Sequence, residues 1–186
     1  MNPKLSYLSS FLYLILFTGL SAFAQQSSAS LNIAQPPGGE LSQDQLREIA
    51  EDIRNLESNP FASDAKQARI NLFKWISGSP DIHVTICQDV IGPLVESDNK
   101  FKGELLMQFI LSSAAYAIEN PRDVENDVAV TKGGISGSLN TYTIIKKTEG
   151  EPATSDFMER MSELSEGNGL TQYVEKGVKK CLGDNR

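Results

Sequence analysis

Few residues in this chain could support nucleophilic catalysis. His83 is the one histidine, so any imidazole base must come from it. Ser136 lies in a glycine-rich run and could act as a nucleophile, because the members of a catalytic triad need not be close in sequence. A hydrolase that uses Ser136 and His83 with a carboxylate is therefore one hypothesis, although no local motif supports it.

The glycine-rich run itself, KGGISGS at residues 132–138, departs from the P-loop, from the dinucleotide-binding fingerprint and from the nucleophile elbow. A P-loop requires its lysine after the glycines, whereas Lys132 precedes them. The spacing of the three glycines does not match G-x-G-x-x-G, and the G-x-S-x-G elbow fails because residue 138 is serine. We expect the small residues to allow a neighbouring helix to approach closely; phosphate binding on backbone N–H groups is the alternative.

Two acidic segments contain side chains that could bind a metal ion or a basic partner. Asp123–Asp127 begins like a calcium loop, but positions 6 and 12 of that loop would be Val128 and Gly134 instead of Gly and Glu. We therefore expect neither a metal site nor a cofactor. The second segment forms an acidic face on the first predicted helix, either solvated or facing a basic partner. That face consists of Glu48, Glu51, Asp52 and Glu57.

The two cysteines, Cys87 and Cys181, predict a disulfide if the chain is exported, since an even number of cysteines in an oxidising compartment is normally paired. Two buried free thiols or a metal pair are the alternatives, and a metal site would need further ligands. The first residues favour export. A polar start is followed by the apolar run FLYLILF and by Ala22 and Ala24 at small-x-small positions, which is typical of a secretory signal peptide.

This pattern divides the chain into a signal peptide (1–24), a disordered leader (25–41) rich in Gln, Ser, Pro and Gly, and a helical domain (42–186). Apolar residues at helical spacing and flanking caps predict the helices of that domain. The predicted helices run from Ser42 to Asn59, from Ser63 to Gly78, from Ser79 to Gly92, from Asn99 to Glu119, from Asn120 to Lys147, from Thr154 or Ser155 to Glu166, and from Leu170 to Leu182. The alternation of Ile82, Val84 and Ile86 would also fit a strand, but a lone strand would have no pairing partner, so a helix is favoured there. The segment 99–119 is apolar over most of its circumference, which indicates a central helix.

The sequence thus predicts a compact all-α domain of six or seven helices with one disulfide. The formal net charge of −7 argues against a general nucleic-acid binder, and after signal cleavage no segment is long and apolar enough to span a membrane. The favoured hypothesis is a periplasmic or secreted, non-catalytic protein of the cell envelope that binds a protein partner or a ligand. No catalytic, cofactor or metal residue is assigned under that hypothesis.

Overall fold

The computed structural model describes residues 41–80 and 82–183, and the regular structure within these ranges is entirely helical. The predicted signal peptide and all but the last residue of the predicted leader lie outside the described residues. Seven α-helices occur in the described part, which confirms the all-α class. They are α1 (Gln43–Ser58), α2 (Ala65–Gly78), α3 (Gln88–Val95), α4 (Lys102–Glu119), α5 (Asp127–Glu149), α6 (Asp156–Ser165) and α7 (Gly169–Leu182), with a 3₁₀ turn at Glu151–Ala153.

Helix α4 lies at the centre of the fold, as its all-round apolar character predicts. One of its faces contributes Leu105 and Phe109 to a core shared with α3, α5, α6 and α7. Another face contributes Leu111 and Ala114 to a second core, shared with α1 and α2. All four side chains are fully buried, so α4 joins the two cores instead of covering one of them.

Two helices start where their capping residues predict. The Ser42 hydroxyl accepts a hydrogen bond from the Gln45 backbone N–H at 3.3 Å, and the Ser42 N–H donates to Gln45 Oε1 at 2.9 Å, which completes a capping box at α1. At α6, Ser155 accepts from the Met158 N–H at 3.4 Å. Such caps depend on residues three positions apart, and local sequence is therefore sufficient to predict them.

The prediction of a helix from Ser79 to Gly92 is wrong for the described residues before Gln88. Residues 82–87 have no helical structure, and α3 begins only at Gln88, with Pro93 inside its last turn. The physical reason lies in the two cores: Ile82 is buried in the core of α1 and α2, whereas Cys87 is buried in the core of α3 and α7. A non-helical segment spans the distance between them, and its β-branched residues favour an extended backbone.

The predicted cap of α5 at Asn120 is also wrong. The Asn120 side chain donates to the Tyr116 carbonyl at 2.9 Å and so completes the end of α4. A series of turns follows, and α5 begins at Asp127, where Asn126 Oδ1 accepts from the Ala129 N–H at 3.1 Å. The start of α4 differs less from its prediction, at Lys102 instead of Asn99.

Among the described helices, none combines the length and the hydropathy that crossing a bilayer requires.

Candidate functional site

The structure brings Cys87 and Cys181 together as a disulfide, which confirms the predicted pairing. Their Cα atoms lie 5.6 Å apart, within the normal range for a bridge. Cys87 is the residue before α3 and is completely buried, whereas Cys181 is exposed near the end of α7. The bond therefore fastens the last helix to the start of α3.

The candidate catalytic residues do not form a catalytic arrangement in the described residues. His83 is exposed in the segment before α3, and Ser136 is exposed on α5. The Ser136 hydroxyl donates to the Lys132 carbonyl of its own helix at 2.9 Å. Among the hydrogen bonds of the described part, none joins Ser136 to His83. A serine bonded to a helix carbonyl is not activated as a nucleophile.

The glycine-rich run is the contact surface between α5 and α4. A Cβ atom added to Gly133 would lie 2.6 Å from Tyr116 Cβ, and one added to Gly134 would lie 2.7 Å from the Phe109 carbonyl oxygen. Gly137 is equally crowded, by Ser112 and the Glu57 carboxylate. Side chains larger than hydrogen would hold the two helices apart, so these glycines allow the close approach that the sequence predicts.

Two acidic residues of the 123–127 segment, Asp123 and Asp127, bond to protein groups. The Tyr116 hydroxyl donates to Asp123 at 3.1 Å, and the Thr85 hydroxyl donates to Asp127 at 2.7 Å. Across the ranges described above, no group of three or more His, Cys, Asp or Glu side chains converges as metal ligands would.

The acidic face of α1 is only partly solvated. Glu48 and Glu51 are exposed, but Glu57 is only 4 % exposed. The prediction that Glu57 belongs to a solvated or partner-facing surface is therefore wrong. Burial raises the pKa of the Asp52 carboxyl, and the neighbouring charges of Glu48 and Glu51 raise it further. The sequence signal for Glu57 is its position four residues after the buried Ile53, on the same helical face.

Glu57 is the centre of a buried polar network that links α1 to α4 and α5. It accepts from the Ser112 hydroxyl at 2.6 Å and from the Asn140 side-chain amide at 3.3 Å, and it pairs with Arg54. Arg54 also donates two hydrogen bonds, of 3.0 and 2.6 Å, to Glu119 at the end of α4. Since both carboxylate oxygens of Glu57 have partners here, the network stabilises helix packing and leaves the Glu57 carboxylate no free oxygen for a ligand.

A groove with an apolar lining lies between the start of α2 and the start of α4. We call it the Phe61 groove; it encloses about 580 Å³. Phe61 is 46 % exposed at its edge, and the Phe61 ring meets the Phe101 ring edge to face, with centroids 6.0 Å apart. The remaining apolar lining comes chiefly from Ile70, Met107 and Ile145. An exposed aromatic ring over an apolar cleft is typical of a binding site.

Arg69 lines the same groove and is the most unusual residue in it. It is only 5 % exposed, yet among the ion pairs of the described residues none includes it. Its Nη1 and Nη2 atoms each lie 3.4 Å from the Pro60 carbonyl oxygen, and Nε is buried without a hydrogen-bond partner. Burial lowers the pKa of the Arg69 guanidinium, and the charge of Glu104 partly offsets that effect.

Arg69 is not among the residues predicted from the sequence, although its position on α2 contains a signal. Ala65, Ala68 and Leu72 form the apolar face of α2, and Arg69 lies on the same face, four residues after Ala65. A lone arginine within an apolar helical face is uncommon unless a partner compensates its charge.

Two larger grooves have a different character. One, of about 770 Å³, runs between residues 122–128 and the end of α7; the other, of about 590 Å³, lies beside the start of α6. The first is lined largely by polar and charged side chains, whereas the second mixes the exposed charges of Asp98, Asp156 and Arg160 with buried side chains such as Phe157 and Met161. No charged side chain that lines either groove is buried. The Phe61 groove is therefore the best candidate for a functional site.

Comparison of the chain with protein-family models, with curated proteins and with solved structures gives no significant match.

Proposed function

We propose that this is an exported, non-catalytic helical protein of the cell envelope, and that it acts by binding the apolar part of a ligand in the Phe61 groove. The observation that carries the proposal is the cleft lined by Phe61, Phe101 and Met107 with a buried guanidinium in its wall. Its volume falls within the range of small-molecule sites, about 300–1,000 Å³.

Two features support export. The first 24 residues have the three-part pattern of a secretory signal, and the Cys87–Cys181 bridge is of a kind that persists in oxidising compartments and is rare in the cytosol. The expected location is the periplasm or the extracellular medium. Intact-mass measurement of the secreted protein tests this proposal. Cleavage after Ala24 leaves a chain that begins at Gln25, and the disulfide lowers the mass of that chain by two hydrogens relative to its reduced form.

Binding is favoured over hydrolysis because the groups required for hydrolysis are occupied or apart. The Ser136 hydroxyl bonds to its own helix, and no bond joins it to His83 among the described residues. The Phe61 groove instead offers apolar surface and one cation, which suit recognition more than bond cleavage.

Fluorescence titration of the mature protein with 1-N-phenylnaphthylamine, an uncharged apolar probe, tests the binding site. The Phe61→Ser variant should weaken probe binding about tenfold, since it removes an aromatic wall of the groove. Ile86→Ser is the matched control, because Ile86 is also exposed, at 52 %, but does not line the groove.

The expected result is saturable probe binding of similar affinity by the unmodified protein and by Ile86→Ser, and weaker binding by Phe61→Ser alone. The absence of saturable binding, or an equal loss in both variants, would overturn the proposal. Thermal unfolding of each variant establishes that the altered side chain, and not loss of the fold, causes the change.

A further inference from the structure

We propose that the ligand of the Phe61 groove is a small amphipathic carboxylate, whose charged group pairs with Arg69 and whose apolar chain lies along Phe61 and Phe101. This inference rests on the proposed binding function and specifies the chemistry of the ligand.

The incomplete bonding of Arg69 is the first argument. A guanidinium has five N–H donors, and the one acceptor for Arg69 in the described residues is the Pro60 carbonyl, at 3.4 Å from both terminal nitrogens. That distance is longer than a normal N–H···O bond of 2.7–3.2 Å, and Nε has no acceptor. A buried charge with so few partners is costly, and a bound anion would remove that cost.

The charge of the groove is the second argument. Two basic side chains, Arg69 and the exposed Lys66, line it together with one acidic side chain, Glu104. The groove is therefore net positive in a chain whose formal net charge is −7. A positive site on an acidic protein selects anions, and the surrounding negative charge disfavours nonspecific association with acidic polymers.

The geometry of the groove favours a carboxylate with an apolar chain. Planar guanidinium groups bind carboxylates through two parallel hydrogen bonds, and they do so most strongly where water is excluded. The apolar wall formed by Ile70, Met107 and Ile145 would be unfavourable for an ion that carries no apolar part. The volume of about 580 Å³ suits one small molecule better than a folded partner.

The test compares three ten-carbon probes that differ only in their head group: decanoate, decanol and decylammonium. Isothermal titration with the mature, oxidised protein should give decanoate an affinity at least about tenfold higher than decanol, and decylammonium the weakest binding. Equal affinities for decanoate and decanol would overturn the inference.

Variants assign the effect to Arg69. In Arg69→Met the preference for decanoate over decanol should disappear, whereas the affinity for decanol should change by less than about threefold, because methionine preserves apolar contact. Lys74→Gln is the control: it removes an exposed basic side chain of the same helix that does not line the groove, and it should retain the preference. If Arg69→Met also retains it, the inference fails.

A measurement on the unmodified protein keeps the inference testable if Arg69→Met does not fold. The Nε–Hε resonance of Arg69 should shift when decanoate is added and should shift much less with decanol, because a charged carboxylate accepts a hydrogen bond from a guanidinium much more strongly than a neutral hydroxyl does. No difference between the two titrations would contradict the proposal.

Failure of this inference is distinguishable from failure of the proposed function. If decanoate and decanol bind equally and Phe61→Ser abolishes both, the groove is a binding site but Arg69 does not select a carboxylate. If none of the probes binds, both proposals fall.

Discussion

The Ser112 hydroxyl donates a 2.6 Å hydrogen bond to Glu57 Oε1, although the two residues are 55 positions apart in the chain. Both are almost completely buried, and the Gln108 side chain donates to the same hydroxyl at 3.1 Å. One small side chain of the central helix thus links the end of α1 to the interior of the protein.

Removing that hydroxyl should be costly. We expect Ser112→Ala to lower the free energy of unfolding by about 1–3 kcal/mol, because it leaves the buried Gln108 amide without its acceptor and removes one of the donors to the Glu57 carboxylate. Ser113→Ala is the matched control: Ser113 is equally buried, but its hydroxyl has no hydrogen-bond partner within the described part of the chain. Removing the Ser113 hydroxyl should leave the free energy of unfolding unchanged or raise it. Urea unfolding measures both, and equal costs would contradict this account.

Close contact between α4 and α5 depends on glycine. Gly137→Ala should destabilise the protein by about 1–3 kcal/mol or more, because the added methyl group would overlap Ser112 and the Glu57 carboxylate. Gly103→Ala is the comparison, since an added Cβ there meets nothing within 4 Å. The free energy of unfolding of that variant should rise by up to about 1 kcal/mol, because alanine has a higher helix propensity than glycine. Thermal unfolding distinguishes the two directions.

The disulfide joins residues separated by 94 positions. In the chain-entropy description, a loop of this length contributes about 4–5 kcal/mol, so the double variant Cys87→Ala, Cys181→Ala should unfold at a much lower urea concentration. Reduction and alkylation of the unmodified protein should produce a similar loss. Identical urea midpoints for the oxidised and reduced proteins would show that the bridge contributes no stability.

Glu159 predicts a dependence of stability on acid pH. Hydrogen bonds from Lys146 and then from Tyr142 lower the pKa of its carboxyl below the usual 4.5. A carboxyl whose pKa is lowered by folding contributes stability above the pKa of the unfolded chain and loses it as the pH falls through the pKa of the folded protein. Glu159→Gln should therefore cost stability at pH 7 and little at pH 3.

The size of this effect should be less than about 1 kcal/mol at pH 7, because the carboxylate is partly exposed and solvent screens the pair. Glu163→Gln removes one negative charge from the same helix at an exposed position and serves as the control. Urea unfolding at several pH values provides the measurement. A constant difference between Glu159→Gln and the unmodified protein down to pH 3 would contradict the assignment.

Features that depend on local sequence were predictable. The capping box of Ser42 and Gln45, the central helix α4 and the close approach at Gly134 each follow from residue types a few positions apart. The pairing of Cys87 with Cys181 could be predicted without knowledge of the fold, because the sequence has only two cysteines.

Features that depend on distant partners were not predictable. The segment after Ser79 resembles a helix start, but Ile82 and Cys87 belong to two different cores, and residues 82–87 are therefore not helical. Asn120 resembles a cap for α5, but its amide is used at the end of α4. Glu57 resembles a surface residue until Ser112 and Asn140, the latter 83 positions away, are placed beside it.

The sequence by itself determined the helical class, the bridge and most helix positions. Apolar spacing and helix caps depend on residues that are close in the chain, and two cysteines allow only one pairing. Only the tertiary structure decided which charges are buried and where a groove opens. Arg69 illustrates the difference: its position on α2 can be read from the sequence, but its burial beside Pro60 and Phe101 arises when α2 packs against α4. The free energy of a charge depends on every group around it, and those groups come from distant parts of the chain.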